Sequence, residues 1–347
     1  MGLPSGTFQE NYGQDMAIVR TRAQWVILLV FLVFLFTSPL YFSDRILTIL
    51  TIIGITVISV HGLNILTGYC GQISIGHVAF MAVGGYTSAV LCAKLGFSFW
   101  AALPCAALMA GMVGLIFGLP SLRVKGFYLI MATIAAHFII IWFIVQLRNI
   151  TGGADGLAVP RPEIGDFVLK SKSSWFYLVM IIACLATFVA KNIVRTRAGR
   201  AFIAIRDNDL AAEVMGINLW AYKLLAFFIG CVFAGVAGSL LVHYFAFASP
   251  TQFPFMDSVW YLGMLIVGGE GSIAGAIFGA VSLKLLDELV TIVGPILSAV
   301  VAAQAAASLS LIMRGLIIIL FLIFESRGLA HRWEMIKAYF KLWPFSY

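Results

Sequence analysis

Charged residues are scarce in this sequence. Only 11% of its 347 residues are charged, 62% are hydrophobic, and the mean hydropathy is +1.02. A soluble domain typically has about a quarter charged residues, so a soluble globular protein is excluded. Continuous apolar runs such as 25–35 and 311–324 also exclude a β-barrel, whose strands alternate apolar and polar residues. The composition predicts an all-α, polytopic membrane protein.

The sequence also lacks the motifs of an enzyme. It contains no GxxxxGK followed by Ser or Thr, and its five cysteines have no CxxC spacing and fall in or beside apolar runs. Four histidines lie in separate apolar runs without metal-ligand spacing: His61, His77, His137 and His243. For each we favour packing as a neutral imidazole over a functional role. We expect no catalytic residue, metal ion or cofactor in this chain.

The few charges are unevenly placed. The net charge is +7, and the longest charged stretch, residues 191–223, has six basic and three acidic residues between two apolar runs. Short basic loops beside membrane spans stay in the cytoplasm, which accounts for the positive charge without a nucleic-acid partner. We call residues 191–223 the charged segment and predict that it is cytoplasmic.

The apolar runs predict about ten transmembrane helices with both termini in the cytoplasm. The spans are predicted near 24–42, 46–66, a third ending near 92, 99–119, 127–146, 175–190, 224–245, 258–267, 273–286 and 309–324. Residues 1–23 would form a cytoplasmic tail, 24–325 the transmembrane domain, and 326–347 a second cytoplasmic tail. Arg123 and Lys125 indicate a cytoplasmic turn, and the polar stretch after Gln146 is predicted to be the external loop.

Two glycine-rich stretches, 68–85 and 268–275, interrupt the apolar pattern. Glycine there permits either a broken or re-entrant helix that lines a pathway, or tight helix packing, and packing is at least as plausible. The candidate pathway residues are Gln72, Ser74, His77, Gly268 and Gly271.

Three further charged residues lie near the second stretch. Lys284 and Asp287, three residues apart, indicate a local ion pair or, alternatively, a gate. Glu270, between two glycines, is expected to be solvated rather than bound to a partner.

The charged segment has a finer pattern. Phe202, Ile203 and Ile205 lie among arginines, residues 207–209 can cap a second short helix over 210–215, and Gly216 can end it. Two amphipathic helices of this kind fit a groove on a soluble partner, but they equally fit an anionic lipid surface or a solvated loop.

Five long motifs make the sequence similar to a known family. They are GLNILTGYCGQISIGHVAFMAVGGYTSA (62–89), GLPSLRVKGFYLIMATIAAHFI (118–139), ITGGADGLAVP (150–160), RTRAGRAFIAIRDNDLAAEVMGINLWAYKLLAF (195–227) and VGGEGSIAGAIFGA (267–280). In this order they resemble the LivM-type permeases of branched-chain amino-acid ABC importers. The resemblance extends from about residue 24 to 329. Cys70 and Ile73 stand where Ala and Leu are more usual.

The resemblance implies a multi-pass permease of a bacterial-type inner membrane that imports branched-chain or other hydrophobic amino acids. It implies four kinds of partner: a LivH-type second permease, two cytoplasmic ATPase subunits that bind ATP and Mg, a periplasmic substrate-binding protein, and membrane lipid. Residues 195–219 would form the segment that couples to an ATPase, through Arg200, Arg206, Asp207, Asp209, Glu213 and Gly216.

Two other interpretations remain open. Relatives in the family carry urea, short amides or aromatic carboxylates, and the permease sequence does not distinguish these substrates. A protein of another class, an ion-coupled secondary transporter, would use His77, His137 or Asp287 as relay groups. A membrane enzyme would need a cluster of reactive side chains, which the sequence does not indicate.

Overall fold

The computed structural model describes residues 22–121, 126–164, 167–168, 171–298 and 328–342, together with residues 312, 315, 316, 319 and 323. The described helices are α1 Arg22–Thr37, α2 Asp44–Leu63, α3 His77–Leu95, α4 Phe99–Ser121, α5 Phe127–Gln146, α6 Arg148–Thr151, α7 Lys172–Arg195, α8 Arg197–Asp207, α9 Asp209–Val214, α10 Leu219–Phe245, α11 Phe255–Gly268, α12 Ile273–Ser298 and α13 Gly328–Leu342. The described strands are β1 Leu157–Ala158, β2 Glu163–Ile164, β3 Phe167–Val168 and β4 Phe247–Ala248. β1 pairs antiparallel with β4, and β2 with β3.

Within the described residues, six helices are long and apolar enough to cross a membrane. They are Asp44–Tyr69, His77–Leu95, Phe99–Pro120, Phe127–Gln146, Lys172–Arg195 and Leu219–Phe245. The first of these is α2 continued by a π-helical turn, Asn64–Tyr69. The predicted all-α, polytopic membrane class is confirmed.

The eighth and ninth predicted spans form a different structure. Pro250–Gly268 and Ile273–Ile292 meet at a bend of 120°, so together they form one broken span or a re-entrant pair. The first predicted span is a shorter apolar helix, Trp25–Leu40. Arg123 and Lys125 lie outside the described residues, and so does most of the tenth predicted span. The count of ten and the sides of the two termini therefore stay predictions.

Helix α12 continues past the point where the sequence analysis ended it. The ninth span is predicted to end near residue 286, just before Asp287 and Glu288, but both residues lie inside the helix. Trp260 Nε1 donates to Asp287 Oδ2 at 3.3 Å, and Arg45 Nε donates to Glu288 Oε1 at 2.9 Å. These contacts stabilise the two carboxylates, so α12 can continue past them without exposing them to water. Lys284 Nζ lies 4.0 Å from Asp287 Oδ2, as the local ion pair predicts.

Helix α10 is the centre of the packed core. It lies against α2, α3 and α4. A Cβ atom added to Gly84 would collide with the backbone of Gly235, and one added to Gly238 would collide with the carbonyl oxygen of Met81. Such direct contact between helix backbones requires glycine. At Gly84 the structure therefore supports the packing interpretation of the glycine-rich stretch.

The polar stretch after Gln146 folds over one end of the bundle. β1 pairs with β4, which directly follows α10, and Trp100 Nε1 donates to the Glu163 carbonyl at 3.1 Å. His243 Nδ1 lies 3.3 Å from the Pro160 carbonyl oxygen. At the opposite end of α10, α8 and α9 form the middle of the charged segment. Helix α13 packs on α11 and α12.

Candidate functional site at two helix breaks

The two glycine-rich stretches each contain a non-helical break. Residues 70–76 separate the π-helical turn from α3, and residues 269–272 separate α11 from α12. Gly71, Gly269 and Gly271 have positive φ angles of 71°, 106° and 72°. Side chains with a Cβ atom rarely adopt this region, so glycine permits both breaks. We call residues 70–76 the first break and residues 269–272 the second break.

Asn64 connects the π-helical turn to the second break. Its side chain is fully buried. Its Nδ2 donates to the Ser272 carbonyl at 2.9 Å, and its Oδ1 accepts from the Gly271 N–H at 3.0 Å. The amide therefore satisfies two backbone groups that the break removes from helical hydrogen bonding. The sequence analysis did not select Asn64, although an amide inside an apolar run is the signal that would have found it.

Arg206, in the last turn of α8, contacts both breaks. Its Nη1 donates to the Gly68 carbonyl at 2.9 Å, next to the first break. A Cβ atom on Gly271 would lie 2.7 Å from the same nitrogen. Nε and Nη2 donate to Asp207 Oδ1 at 3.1 and 3.0 Å. One guanidinium thus joins the charged segment to both breaks, because it turns toward the bundle and away from the surface of the segment.

Helix α8 buries its apolar face against the bundle. Phe202 and Ile205 are 0% and 4% exposed, and the ring of Phe202 lies edge-on to that of Tyr222 at 6.3 Å. Thr196 Oγ1 caps the helix by accepting from the Gly199 N–H at 3.4 Å. The apolar residues that suggested a partner groove are therefore used within the chain.

Helix α9 has the opposite orientation. It is capped by Asn208, whose Oδ1 accepts from the Ala211 N–H at 3.0 Å. Leu210, Val214 and the following Met215 are 67%, 87% and 81% exposed, although they lie between two membrane spans. These three residues form an exposed apolar surface, which we call the α9 surface.

The other predicted coupling residues lie around these two helices. Arg200 and Glu213 are exposed, and Arg200 Nη1 donates to the Arg195 carbonyl at 3.2 Å. Asp209 lies 3.7 Å from Lys223. Gly216, with φ of 83°, follows the end of α9.

A cavity of about 380 Å³ separates the first break from the charged segment. Its lining includes Gln72, Arg206 and Lys223. Cys70 also lines it, and burial raises the pKa of the Cys70 thiol to about 12, so this thiol stays protonated at neutral pH. Of the predicted pathway residues, Gln72 lies at this cavity and Gly271 at the second break.

Three predicted pathway side chains are buried and incompletely hydrogen-bonded. Gln72 Oε1, Ser74 Oγ and His77 Nδ1 have no hydrogen-bond partner among the described residues. Buried polar atoms normally have a partner, and an atom without one is costly. Ser38, His61, Tyr86 and His137 share this feature among the described residues, so it does not by itself mark a pathway.

The four membrane histidines have separate surroundings. His61 pairs with Thr187 at 3.0 Å, His77 with the Ser59 carbonyl at 3.0 Å, and His243 with Ser88 at 2.8 Å, while His137 packs against the Phe255 ring. In the part of the chain that the structure describes, no three His, Cys, Asp or Glu side chains form a group that could hold a metal ion. Among the described residues, the four rings have different partners, which fits structural packing.

A bundle of membrane-spanning helices, two glycine breaks and a charged segment that touches both define a membrane transport subunit. The family model described as "Branched-chain amino acid transport system / permease component" matches residues 45–322. The chain belongs to this family.

Curated relatives agree with the family match. The chain is 31% identical to the high-affinity branched-chain amino acid transport system permease protein LivM of Escherichia coli K12, over 89% of this chain and 75% of the relative. It is 25% identical to the LivH permease protein of the same system and strain, over 72% and 86%. It is 26% identical to the autoinducer 2 import system permease protein LsrC of Escherichia coli, over 51% and 50%. No solved structure gives a significant match.

Proposed function

We propose that this chain is the permease subunit of an ATP-driven importer that carries branched-chain amino acids across a bacterial-type inner membrane. Its partners are a LivH-type second permease, two cytoplasmic ATPase subunits that bind ATP and Mg, and a periplasmic binding protein. Membership in the permease family supports this function, and the printed names of the LivM and LivH relatives support the substrate class. The alternative is the same class of importer for urea, short amides or aromatic carboxylates, and the LsrC relative, named for autoinducer 2 import, shows that names in this comparison differ in substrate.

The charged segment lies on the cytoplasmic side in this proposal, and both chain termini lie there too. The basic composition of residues 191–223 supports that orientation. Helix α13 packs on α11 and α12, and Gly328 lies against Gly269 at the second break. The C-terminal helix is therefore at the same end of the bundle as Arg206.

The α9 surface is the part of the segment that docks on an ATPase subunit. Apolar side chains that are at least two-thirds exposed and lie outside the membrane spans are unfavourable in water unless a partner covers them. A short helix with such a face fits a groove on a soluble protein. Glu213 and Gly216 adjoin this surface in sequence and, with the exposed Arg200 of α8, are proposed to contribute to docking.

Movement of the docked segment reaches the membrane domain through Arg206. The observation that carries this step is the hydrogen bond from Arg206 Nη1 to the Gly68 carbonyl, together with the contact of the same nitrogen with Gly271. Asn64 then ties the π-helical turn to the second break. A displacement of α8 would shift both breaks together, and helix breaks are the elements that change conformation in many transporters.

Gln72, Ser74, His77, Gly268 and Gly271 are proposed to line or control the pathway. Their positions at or beside the two breaks support this role. The side-chain atoms of Gln72, Ser74 and His77 that lack partners would gain them in another conformation or from the second permease.

The docking step can be tested by capturing the complex through an affinity tag on this chain. In the double variant Leu210→Asp with Val214→Asp, we expect the ATPase subunits to be lost, because two carboxylates replace the apolar contact. Phe97→Asp is the matched control, since Phe97 is 52% exposed in the connection at the other end of α3. If the double variant retains the ATPase pair as the control does, the α9 surface docks elsewhere, and lipid becomes its favoured partner.

The transport class needs a separate measurement. Membrane vesicles containing the complete complex should accumulate L-leucine only when ATP and the binding protein are present. Uptake in vesicles that lack the ATPase subunits would favour an ion-coupled transporter. Binding of leucine, urea and aromatic carboxylates by the cognate periplasmic protein would decide between the substrate classes.

A further inference from the structure

A second cavity lies away from the charged segment, deep in the bundle. Its volume is about 340 Å³, at the low end of the roughly 300–1,000 Å³ of small-molecule sites. Most of its wall is apolar, from Ile52, Ile55, Val78, Met81, Leu241 and Phe253. Thr56, Asp257, Tyr261 and Lys284 supply polar groups.

This cavity lies where two helices begin. The N–H of Val78, in the first turn of α3, donates to Ser258 Oγ in the first turn of α11 at 3.1 Å. Thr56, which also lines the cavity, lies midway along the 26-residue span Asp44–Tyr69. The cavity is therefore near the middle of the membrane, and the positive ends of two helix dipoles meet beside it.

The ionisable groups of the cavity have opposite charges. Lys284 projects from α12, and Asp257 lies in the first turn of α11. A charged side chain within a membrane span is costly and usually has a functional reason. Lys284 also forms the ion pair with Asp287 at 4.0 Å, so a bound carboxylate would share its ammonium with that residue.

A zwitterionic amino acid with a branched apolar side chain matches the two opposite charges and the apolar wall. Its carboxylate would pair with the Lys284 ammonium, and its ammonium with the Asp257 carboxylate. Its side chain would lie against the apolar wall. Broken helices at the middle of the membrane bind substrates in this way in several transporter folds.

We propose that this cavity is a substrate site within the single permease chain, with Lys284 and Asp257 as the charged ligands of the amino acid. The inference rests on the proposed function and adds the location of the transmembrane site. Residues 251–254, which line the cavity and follow β4, place its opening on the outer side in the proposed orientation.

The test uses the complete complex, captured by a tag on this chain and reconstituted in liposomes with its binding protein. Uptake of L-leucine and ATP hydrolysis are measured for Lys284→Met, Lys284→Arg and Asp257→Asn. We expect Lys284→Met and Asp257→Asn to lower uptake about tenfold or more, since each loses a charged hydrogen bond to the substrate. Lys284→Arg should retain most uptake. Lys94→Met is the control, because Lys94 bonds to the Asn149 carbonyl away from the cavity.

Substrate protection provides a second measurement, independent of the folding of the charge variants. Thr251→Cys, at the rim of the cavity, is labelled by an impermeant maleimide in a Cys105→Ser background, which removes an exposed native thiol. Saturating L-leucine should slow labelling at Thr251→Cys and leave Phe97→Cys unchanged.

Each outcome decides the proposal. Uptake by Lys284→Met at the wild-type rate overturns the inference and leaves the proposed function standing. If Lys284→Met loses both uptake and hydrolysis, labelling decides: slowing by leucine supports the site, and no slowing overturns it. A wild-type complex that takes up no branched-chain amino acid overturns the proposed function, and the inference with it.

Discussion

Helices α8 and α9 are neighbours in one charged segment, yet they use their apolar residues in opposite ways. Phe202 and Ile205 of α8 are buried against the bundle, whereas Leu210 and Val214 of α9 are among the most exposed apolar side chains outside the membrane spans. The difference separates two tasks. Helix α8 fixes the segment to the membrane domain, and α9 presents the exposed surface that we propose for docking.

The largest effect is expected for Phe202→Asp. This change buries a carboxylate in place of a fully buried ring, and we expect a loss of at least about 3 kcal/mol in the free energy of unfolding. The measurement is thermal unfolding of the purified chain in detergent. Val214→Asp, on the exposed helix, should unfold at the wild-type temperature, and equal losses in both variants would remove the contrast between the helices.

The next effect concerns the connection between the π-helical turn and the second break. Asn64→Leu leaves the Gly271 N–H and the Ser272 carbonyl without their partner, at a cost of about 1–3 kcal/mol for each group. We expect leucine uptake to fall strongly while the ATPase pair still co-purifies. Asn149→Leu, at an exposed site, is the control. Normal uptake by Asn64→Leu would exclude the second break from transport.

A smaller effect is expected for Arg206→Met, which removes the link from α8 to the Gly68 carbonyl. Because the Arg206 side chain is 37% exposed, we expect a cost of only about 1 kcal/mol in stability. ATP hydrolysis should continue while uptake per ATP falls. This ratio is measured in liposomes, with Arg206→Lys as the conservative variant. An unchanged ratio would contradict the role of Arg206 in transmission.

Gly71→Ala examines the first break with a change of one methyl group. At φ of 71° an alanine is strained by about 1 kcal/mol. Gly96→Ala is the matched control, because Gly96 has φ of 66° at the far end of α3 with open space around it. Gly71→Ala should lower the unfolding temperature more than Gly96→Ala, because a Cβ atom at Gly71 would lie only 3.0 Å from Arg206 Cγ, and only Gly71→Ala should slow uptake. Equal uptake in the two variants would argue that the first break is purely structural.

Arg200→Glu should have the smallest effect. Arg200 is exposed and bonds only weakly, to the Arg195 carbonyl at 3.2 Å, so stability should change by less than about 0.5 kcal/mol. Its effect on ATPase capture, measured by the same affinity purification, should be less than that of Val214→Asp. A larger effect would mean that charge, rather than the α9 surface, dominates docking.

Hydropathy was sufficient to predict the class of fold and most spans, because long apolar helices such as α4 and α10 have no alternative to burial in a membrane. Hydropathy was not sufficient to predict how helices α11 and α12 are arranged. A helix break over residues 269–272 has the same local composition as a turn between two full spans, and only the 120° angle distinguishes them. The glycines predicted both breaks but not the side chains that join them.

The coupling residues show the same limit. Basic charge selected Arg206 as a candidate, and its role in coupling stays a prediction. The direction of its side chain depends on the Gly68 carbonyl, which is 138 residues earlier in the chain. The amphipathic pattern of α8 and α9 predicted an apolar face on each helix. Which face turns inward is decided by tertiary packing, and the sequence pattern is the same for both outcomes.

The contact made by Val214 in the working complex tests the central claim most directly. A photo-activated cross-linking residue placed at Val214 should form an adduct with the ATPase subunit in a complex that hydrolyses ATP, and the same residue at Phe97 should form none. Adducts with lipid alone at Val214, in an active complex, would contradict the claim that α9 is the docking helix.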